Sequence, residues 1–262
     1  MRALPSFPNP ELRGVRMPDG VPGATPWYRF MRRALQVLFS AFWRARVLNR
    51  HHEPARGGAL YISNHQSFLD PILMSYALRR PVNYMARDTL FRMPGFKQLI
   101  ASLNAFPVRR ATADTAAMKE AMRRLKRGGQ VVVFAEGTRT PDGRIGPFLP
   151  GVALLAQRTA DWTVPVLIDG AFEAWPRTQS FPGPGRIVVR YGEAISRADA
   201  RRQEPHDFLR RVRQTIVDMQ HDTRRRTGRP PLAYDAEGNA PKQPPGPPGS
   251  GATARRRSPP QG

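Results

Sequence analysis

Between residues 59 and 192 the chain alternates short β-like runs with helical patterns, and this restricts the fold more than any other feature. The β-like runs, rich in Val, Ile, Phe and Tyr, cover residues 59–63, 82–86, 105–109, 130–135, 164–168 and 186–191. Helical patterns lie between them at 71–78, 112–127 and 151–159. In the second of these, Ala116, Met118, Ala121, Met122 and Leu125 recur at helical spacing until Gly128 and Gly129 break the pattern. Elements in this order predict an α/β domain, a central mixed β-sheet flanked by helices.

Two more helices are expected outside that alternation. Residues 27–48 interleave Trp27, Phe30, Phe39, Phe42 and Trp43 with arginines. Such a basic amphipathic helix suits a lipid headgroup boundary, and it equally suits packing on the domain's own core. Residues 207–226 place Phe208, Leu209, Val212, Ile216 and Met219 on one side and arginines elsewhere. The chain therefore divides into a Pro-rich segment at 1–26, the interface helix at 27–48, an α/β domain at 49–227 and a tail at 228–262. The tail, with its Pro-Gly runs and Arg255-Arg256-Arg257, has too little apolar surface to fold and is expected to be disordered.

Charge and cysteine content limit the function classes. Lys and Arg number 42 against 20 Asp and Glu, a formal net charge of +22. Residues 222–262 hold eight basic and three acidic side chains, so most of the excess belongs to 1–221. Such a surface seeks an acidic partner: nucleic acid, an anionic membrane or a phosphorylated substrate. The absence of Cys rules out a disulfide scaffold, a thiolate metal site and a cysteine nucleophile. Residues 1–25 carry five prolines and no apolar core, unlike a signal peptide. The most apolar stretch, 35–43, falls well short of the ~20 residues needed to span a bilayer. The expected location is peripheral, at the cytoplasmic face of a membrane.

Two segments carry chemistry. The strand ending at Ser63 runs into Asn64-His65-Gln66-Ser67-Phe68-Leu69-Asp70-Pro71. On one continuous helix His65 and Asp70 would sit about 140° apart, so they meet only if His65 lies on the loop and Asp70 opens the next helix. Asp before Pro fits a helix start, which leaves two readings: Asp70 as a plain N-cap, or Asp70 orienting the imidazole of a general base. Ser67 lacks the glycine-flanked elbow of a nucleophilic serine and reads as a local hydrogen-bonding residue. The second segment, Val131 to Arg139, is an apolar strand ending in Glu136-Gly137-Thr138-Arg139. A glycine followed by donors and a guanidinium fork suits a phosphate, and a strand-end turn with a surface ion pair fits it as well.

Together, Asn64–Asp70 and Phe134–Arg139 resemble the first and third motifs of the glycerolipid acyltransferase family, whose best-known members are 1-acylglycerol-3-phosphate acyltransferases. The stretch from Arg87 to Phe96 and the run Phe106-Pro107-Val108-Arg109-Arg110 resemble the approach to the second motif, and 147–156 with 164–166 the approach to the fourth. Asn104 stands where the second motif usually has Gly, Ala135 replaces a common Pro, and Ile168 replaces a Pro found in some members. The resemblance implies a glycerol-3-phosphate acyltransferase-like fold and a catalytic pair of His65 and Asp70. It implies acceptor-phosphate binding by Glu136, Gly137, Thr138 and Arg139, assisted by Arg109 or Arg110. The expected substrates are a lysophospholipid and an acyl-CoA or acyl carrier protein thioester, with no cofactor and no metal. The competing classes are a nonspecific nucleic-acid binder, suggested by the charge, and an inactive family member that only binds lipid.

Overall fold

The computed structural model describes residues 26–92, 95–102, 104–108 and 114–234. Among these, eight strands form one sheet: β1 (Arg46–Leu48), β2 (Ala59–Ser63), β3 (Val82–Arg87), β4 (Ala105–Val108), β5 (Gln130–Phe134), β6 (Trp162–Asp169), β7 (Val188–Tyr191) and β8 (Ile195–Ser196). Their spatial order is β1-β7-β6-β2-β5-β3-β4, with β8 joined to β6. Strands β6, β2, β5, β3 and β4 run parallel, while β7 and β8 are antiparallel to β6. The sheet is mixed, as the alternation predicts.

The central strands read as unbroken apolar runs because both of their faces are covered. Tyr61, Val132, Val164 and Ile168 face a core closed by α1 (Pro26–Trp43) and α2 (Asp70–Ala77) through Phe39, Leu73 and Met74. Leu60, Ile62, Val131, Val133 and Leu167 face the opposite core, closed by α4 (Thr115–Lys126), α5 (Gly151–Arg158) and α8 (Pro205–Arg226). Short helices α3 (Phe96–Ser102), α6 (Ala171–Ala174) and α7 (Arg197–Arg201) complete the chain order.

Three boundaries differ from expectation. The helix expected over 27–48 ends at Trp43. Arg44 adopts a left-handed φ of 43°, and Ala45 N–H donates back to the Phe39 carbonyl at 3.2 Å, so the helix ends on a left-handed turn. Residues 46–48 then become β1, parallel to β7. At the other end, the domain continues past 227. Gly228 turns with φ 68°, Arg229 pairs with buried Asp169 at 2.6 Å, and the chain remains packed to Tyr234. Residues 235–262 lie outside the described residues, as does the segment 1–25.

Helix α1 is held by side chains as well as by its apolar inner face. Arg32 donates to the Leu78 carbonyl at 3.2 Å, Gln36 to the Tyr76 carbonyl at 3.3 Å, and the Trp43 indole to the Gly183 carbonyl at 2.8 Å. Its other face exposes Trp27, Phe30, Val37, Leu38 and Phe42. No helix among the described residues is long and apolar enough to cross a membrane.

Candidate active site

The register of the sheet brings the two chemistry-bearing segments together. Ser63 lies level with Phe134 of β5 and with Val166 of β6, so the chain leaves these parallel strands at one edge. Polypeptide that leaves there must turn, and the turns interlock. Ala135 N–H donates to Ser63 O at 3.0 Å, and Thr140 N–H to His65 O at 2.8 Å. Asn64 adds a rung on the other side: its amide donates to Ile168 O at 2.9 Å and accepts from Ile168 N–H at 2.8 Å.

His65 and Asp70 meet. The imidazole Nδ1 lies 2.8 Å from Asp70 Oδ2, and both residues are buried. The same Oδ2 accepts the backbone N–H groups of Gln66 at 2.5 Å and Ser67 at 2.8 Å. Asp70 is therefore not an N-cap. It is the first residue of α2, with Leu69 in the cap position and Pro71 following, and its carboxylate turns back to bind the loop before the helix. With Oδ2 accepting, Nδ1 carries the proton and Nε2 is the basic nitrogen. The ring is stacked on Phe134, centroids 4.3 Å apart at 20°, which fixes its plane.

The rest of the His65 loop is tied down at each residue. Gln66 accepts from Ala171 and Phe172 N–H, both at 3.2 Å, at the start of α6. The Ser67 hydroxyl donates to Trp175 O at 2.9 Å and accepts from Leu69 N–H at 3.2 Å, the local role its sequence context suggests. Phe68 is half exposed, 5.3 Å from Trp175 between ring centroids, and carries the Arg139 guanidinium 3.5 Å above its ring.

Glu136 points into the protein's own backbone. Its Oε1 accepts the His65 N–H at 2.8 Å and its Oε2 accepts the Gly146 N–H at 2.8 Å. Gly137 has φ 71°, and a Cβ there would come within 2.7 Å of Leu149, so the turn after Glu136 favours glycine on both counts. Thr138 is exposed. Arg109 and Arg110 lie outside the described residues; β4 ends at Val108, immediately before them.

Burial pushes the Glu136 carboxyl up from 4.5 to about 7; the Asp70 charge adds to the rise, while the two backbone donors and Arg213 oppose it. Between these values the folded state holds a proton that the unfolded chain has released, so Glu136 makes folding less favourable as pH rises through that window. Glu136→Gln has no such titration. Its stability relative to wild type should rise by about 3 kcal/mol in total between about pH 4 and 8. Urea unfolding at stepped pH measures this, and a pH-independent difference would contradict the assignment.

Residues outside the two motifs also contribute, and little in their local pattern marks them. Arg213 and Gln220 on α8 and Tyr234 beyond it bind the loop that holds Glu136. Tyr234 sits in a segment whose composition resembles a linker, and only its isolated aromatic ring marks it.

The chain is similar to known proteins. The family model described as Acyltransferase matches residues 44–169. The chloroplastic 1-acyl-sn-glycerol-3-phosphate acyltransferase LPAT1 of Arabidopsis thaliana is 32% identical over 120 residues, 45% of this chain and 33% of that protein. A 1-acyl-sn-glycerol-3-phosphate acyltransferase of Bacillus subtilis (strain 168) is 27% identical over 173 residues, 66% of this chain and 84% of that protein. The chain spans about a third of the length of the relatives from Brassica napus and Arabidopsis thaliana and about half of that from Cocos nucifera. The crystal structure of the 1-acyl-sn-glycerophosphate acyltransferase PlsC from Thermotoga maritima shares the fold, with TM-score 0.60 and 22% identity over 73% of this chain and 80% of that one. The match over 44–169 contains the His65–Asp70 pair, Glu136 and the strands that carry them, so this stretch of the chain is similar to the acyltransferase family.

Proposed function

We propose that this protein transfers a fatty acyl group from an acyl thioester to the free hydroxyl of a lysophospholipid, with 1-acyl-sn-glycerol-3-phosphate as acceptor and phosphatidic acid as product. The observation that carries the proposal is the buried His65–Asp70 pair, 2.8 Å apart. Asp70 holds the tautomer and balances the charge that develops on the ring, and Nε2 takes the proton from the acceptor hydroxyl. The oxygen attacks the thioester carbonyl, the C–S bond breaks as the ester C–O bond forms, and the proton on Nε2 passes to the departing thiolate. The protein side chains and the two substrates complete this balance without an acyl-enzyme. Holding hydroxyl and thioester in line supplies about 7–11 kcal/mol of the barrier reduction.

Arg139, its plane set by Phe68, and Thr138 are assigned to the acceptor phosphate, with Arg109 or Arg110 assisting. Glu136 and Gly137 serve the same site by shaping its floor, since both Glu136 oxygens accept backbone N–H groups. The names of the plant and bacterial relatives support the choice of acceptor. Both candidate donors, acyl-CoA and acyl carrier protein, are acidic and suit the basic surface. Supplying the purified protein with a panel of lysolipids and both donors, with products read by mass spectrometry, tests the proposal. Phosphatidic acid should dominate; acylation of other lysolipids in preference to lysophosphatidic acid would overturn the acceptor assignment.

The substrates reside in a bilayer, and α1 is the assigned contact with it, at an anionic and cytoplasmic leaflet. Phe30 and Phe42, 64% and 65% exposed, mark the outer apolar face, and arginines along the helix add attraction to acidic lipid. Burying one Phe is worth about 1.5–3 kcal/mol. The double variant Phe30→Asp, Phe42→Asp should therefore lose at least about tenfold in co-sedimentation with phosphatidylglycerol vesicles while remaining folded. Unchanged binding would remove α1 from this role.

A further inference from the structure

The loop from Gly143 to Gly146 connects Glu136 to α8 and the segment that follows it. Gly146 N–H donates to Glu136 Oε2 at 2.8 Å, and Glu136 Oε1 receives the His65 N–H at 2.8 Å. A Cβ on residue 146 would lie 3.1 Å from Oε2, so glycine lets the carboxylate approach. Arg144 N–H donates to Asp142 Oδ1 at 3.0 Å, and most of the loop's other backbone bonds go to side chains from α8 and beyond. Arg213 donates from Nε to Gly146 O at 2.8 Å and from Nη2 to Ile145 O at 2.6 Å. The Tyr234 hydroxyl accepts from Ile145 N–H at 2.9 Å and donates to Gln220 Oε1 at 2.6 Å. Gln220 Nε2 donates to Gly143 O at 3.1 Å, where Gln66 of the His65 loop also donates at 3.2 Å.

Arg213, Gln220 and Ile145 are buried. Arg213 brings its guanidinium out of water to bind two loop carbonyls, and its ring neighbour is Tyr234 at 5.9 Å. Desolvating a cation and an amide to bind a loop is costly unless the position of that loop matters. What the loop positions is one carboxylate, and through it one amide, that of the proposed general base.

We propose that Arg213, Gln220 and Tyr234 are positioning residues for the acyl transfer, acting through the 143–146 loop and Glu136 on the backbone of His65. The segment after α8 thereby becomes part of the catalytic unit. This rests on the function proposed above. Because a displaced base loses rate more than substrate affinity, kcat is the sensitive quantity.

The test uses the full chain. Tyr234→Phe keeps the ring and removes the hydroxyl that joins Ile145 to Gln220. It should lower kcat by about 10–100-fold with KM for both substrates nearly unchanged. A role in stability alone would act independently of Glu136, so the same substitution is also made in a Glu136→Gln background. There, the further loss should be less than about twofold, since the link is already broken. Gln220→Met serves as the second variant and should behave alike. Amide hydrogen exchange reads the positional claim without any assay of activity: Tyr234→Phe should speed exchange at His65 and Gly146 and leave β2 and β5 unchanged. Equal losses in the two backgrounds, a kcat within about twofold of wild type, or unchanged His65 exchange would overturn the proposal. A wild-type protein without transferase activity would instead refute the function, and exchange would still decide the positioning.

Discussion

Replacing His65 with alanine is expected to leave a folded protein whose acyl-transfer rate is lower by about 10²–10⁴-fold, the usual contribution of a positioned general base. The fold should survive because the backbone contacts of this residue do not depend on its ring: His65 N–H to Glu136 and Thr140 N–H to His65 O remain. The lost contacts are the stack on Phe134 and one bond to Asp70. Asp70 Oδ2 would still accept from Gln66 and Ser67. Substrate binding should change little, so the loss belongs in kcat. A purified, folded variant turning over near the wild-type rate would remove His65 from the mechanism.

Asp70→Asn is expected to show the second-largest effect, on activity and stability together. The amide has nearly the shape of the carboxylate, yet it is neutral and offers one acceptor oxygen in place of two. That oxygen can still receive the N–H groups of Gln66 and Ser67, although bonds to a charged acceptor are about twice as strong as neutral ones. A stability loss of about 1–3 kcal/mol follows. Transfer should fall by about 10²–10⁴-fold, because nothing then balances positive charge on the imidazole when Nε2 takes the proton. Thermal unfolding and steady-state kinetics on one preparation separate the two effects. Full activity in a destabilised protein would make Asp70 a structural residue only.

The parts of this protein that were legible in its sequence are those set by local pattern. Strand β2 falls on residues 59–63 as read, and β5 within one residue, because strands buried on both faces show as apolar runs. Of the helices between them, α2 and α4 were legible, the latter from its spacing, while the short α3 was not. Features fixed by contacts distant in sequence were not. Strand β1 is three residues with two exposed side chains, and only its pairing with β7, some 140 residues on, makes it a strand. The end of α1 rests on Arg44 taking a left-handed conformation for which glycine is the usual signal.

The site divides in the same way. The loop-and-helix geometry that joins His65 to Asp70 was legible, while the inward direction of Glu136 was not, since an acid at a strand end gives no hint of which donors it will meet. The arginines carry a similar lesson. The sequence suggests a surface field, yet Arg124, Arg213 and Arg224 are buried and engaged with protein partners. Part of the +22 charge thus acts inside the fold, holding α4 and α8 in place, and is not displayed to a partner.

Direct transfer from thioester to hydroxyl with His65 as the base makes thiol release depend on the acceptor. The most direct measurement follows free thiol released from an acyl thioester by the purified protein, with and without 1-acyl-sn-glycerol-3-phosphate vesicles, alongside the intact mass of the protein. Thiol release should require the acceptor, equal the phosphatidic acid formed, and nearly vanish in His65→Ala, with no mass gain on the protein. Stoichiometric acylation of the protein before acceptor is added, or equal release by wild type and His65→Ala, would contradict it.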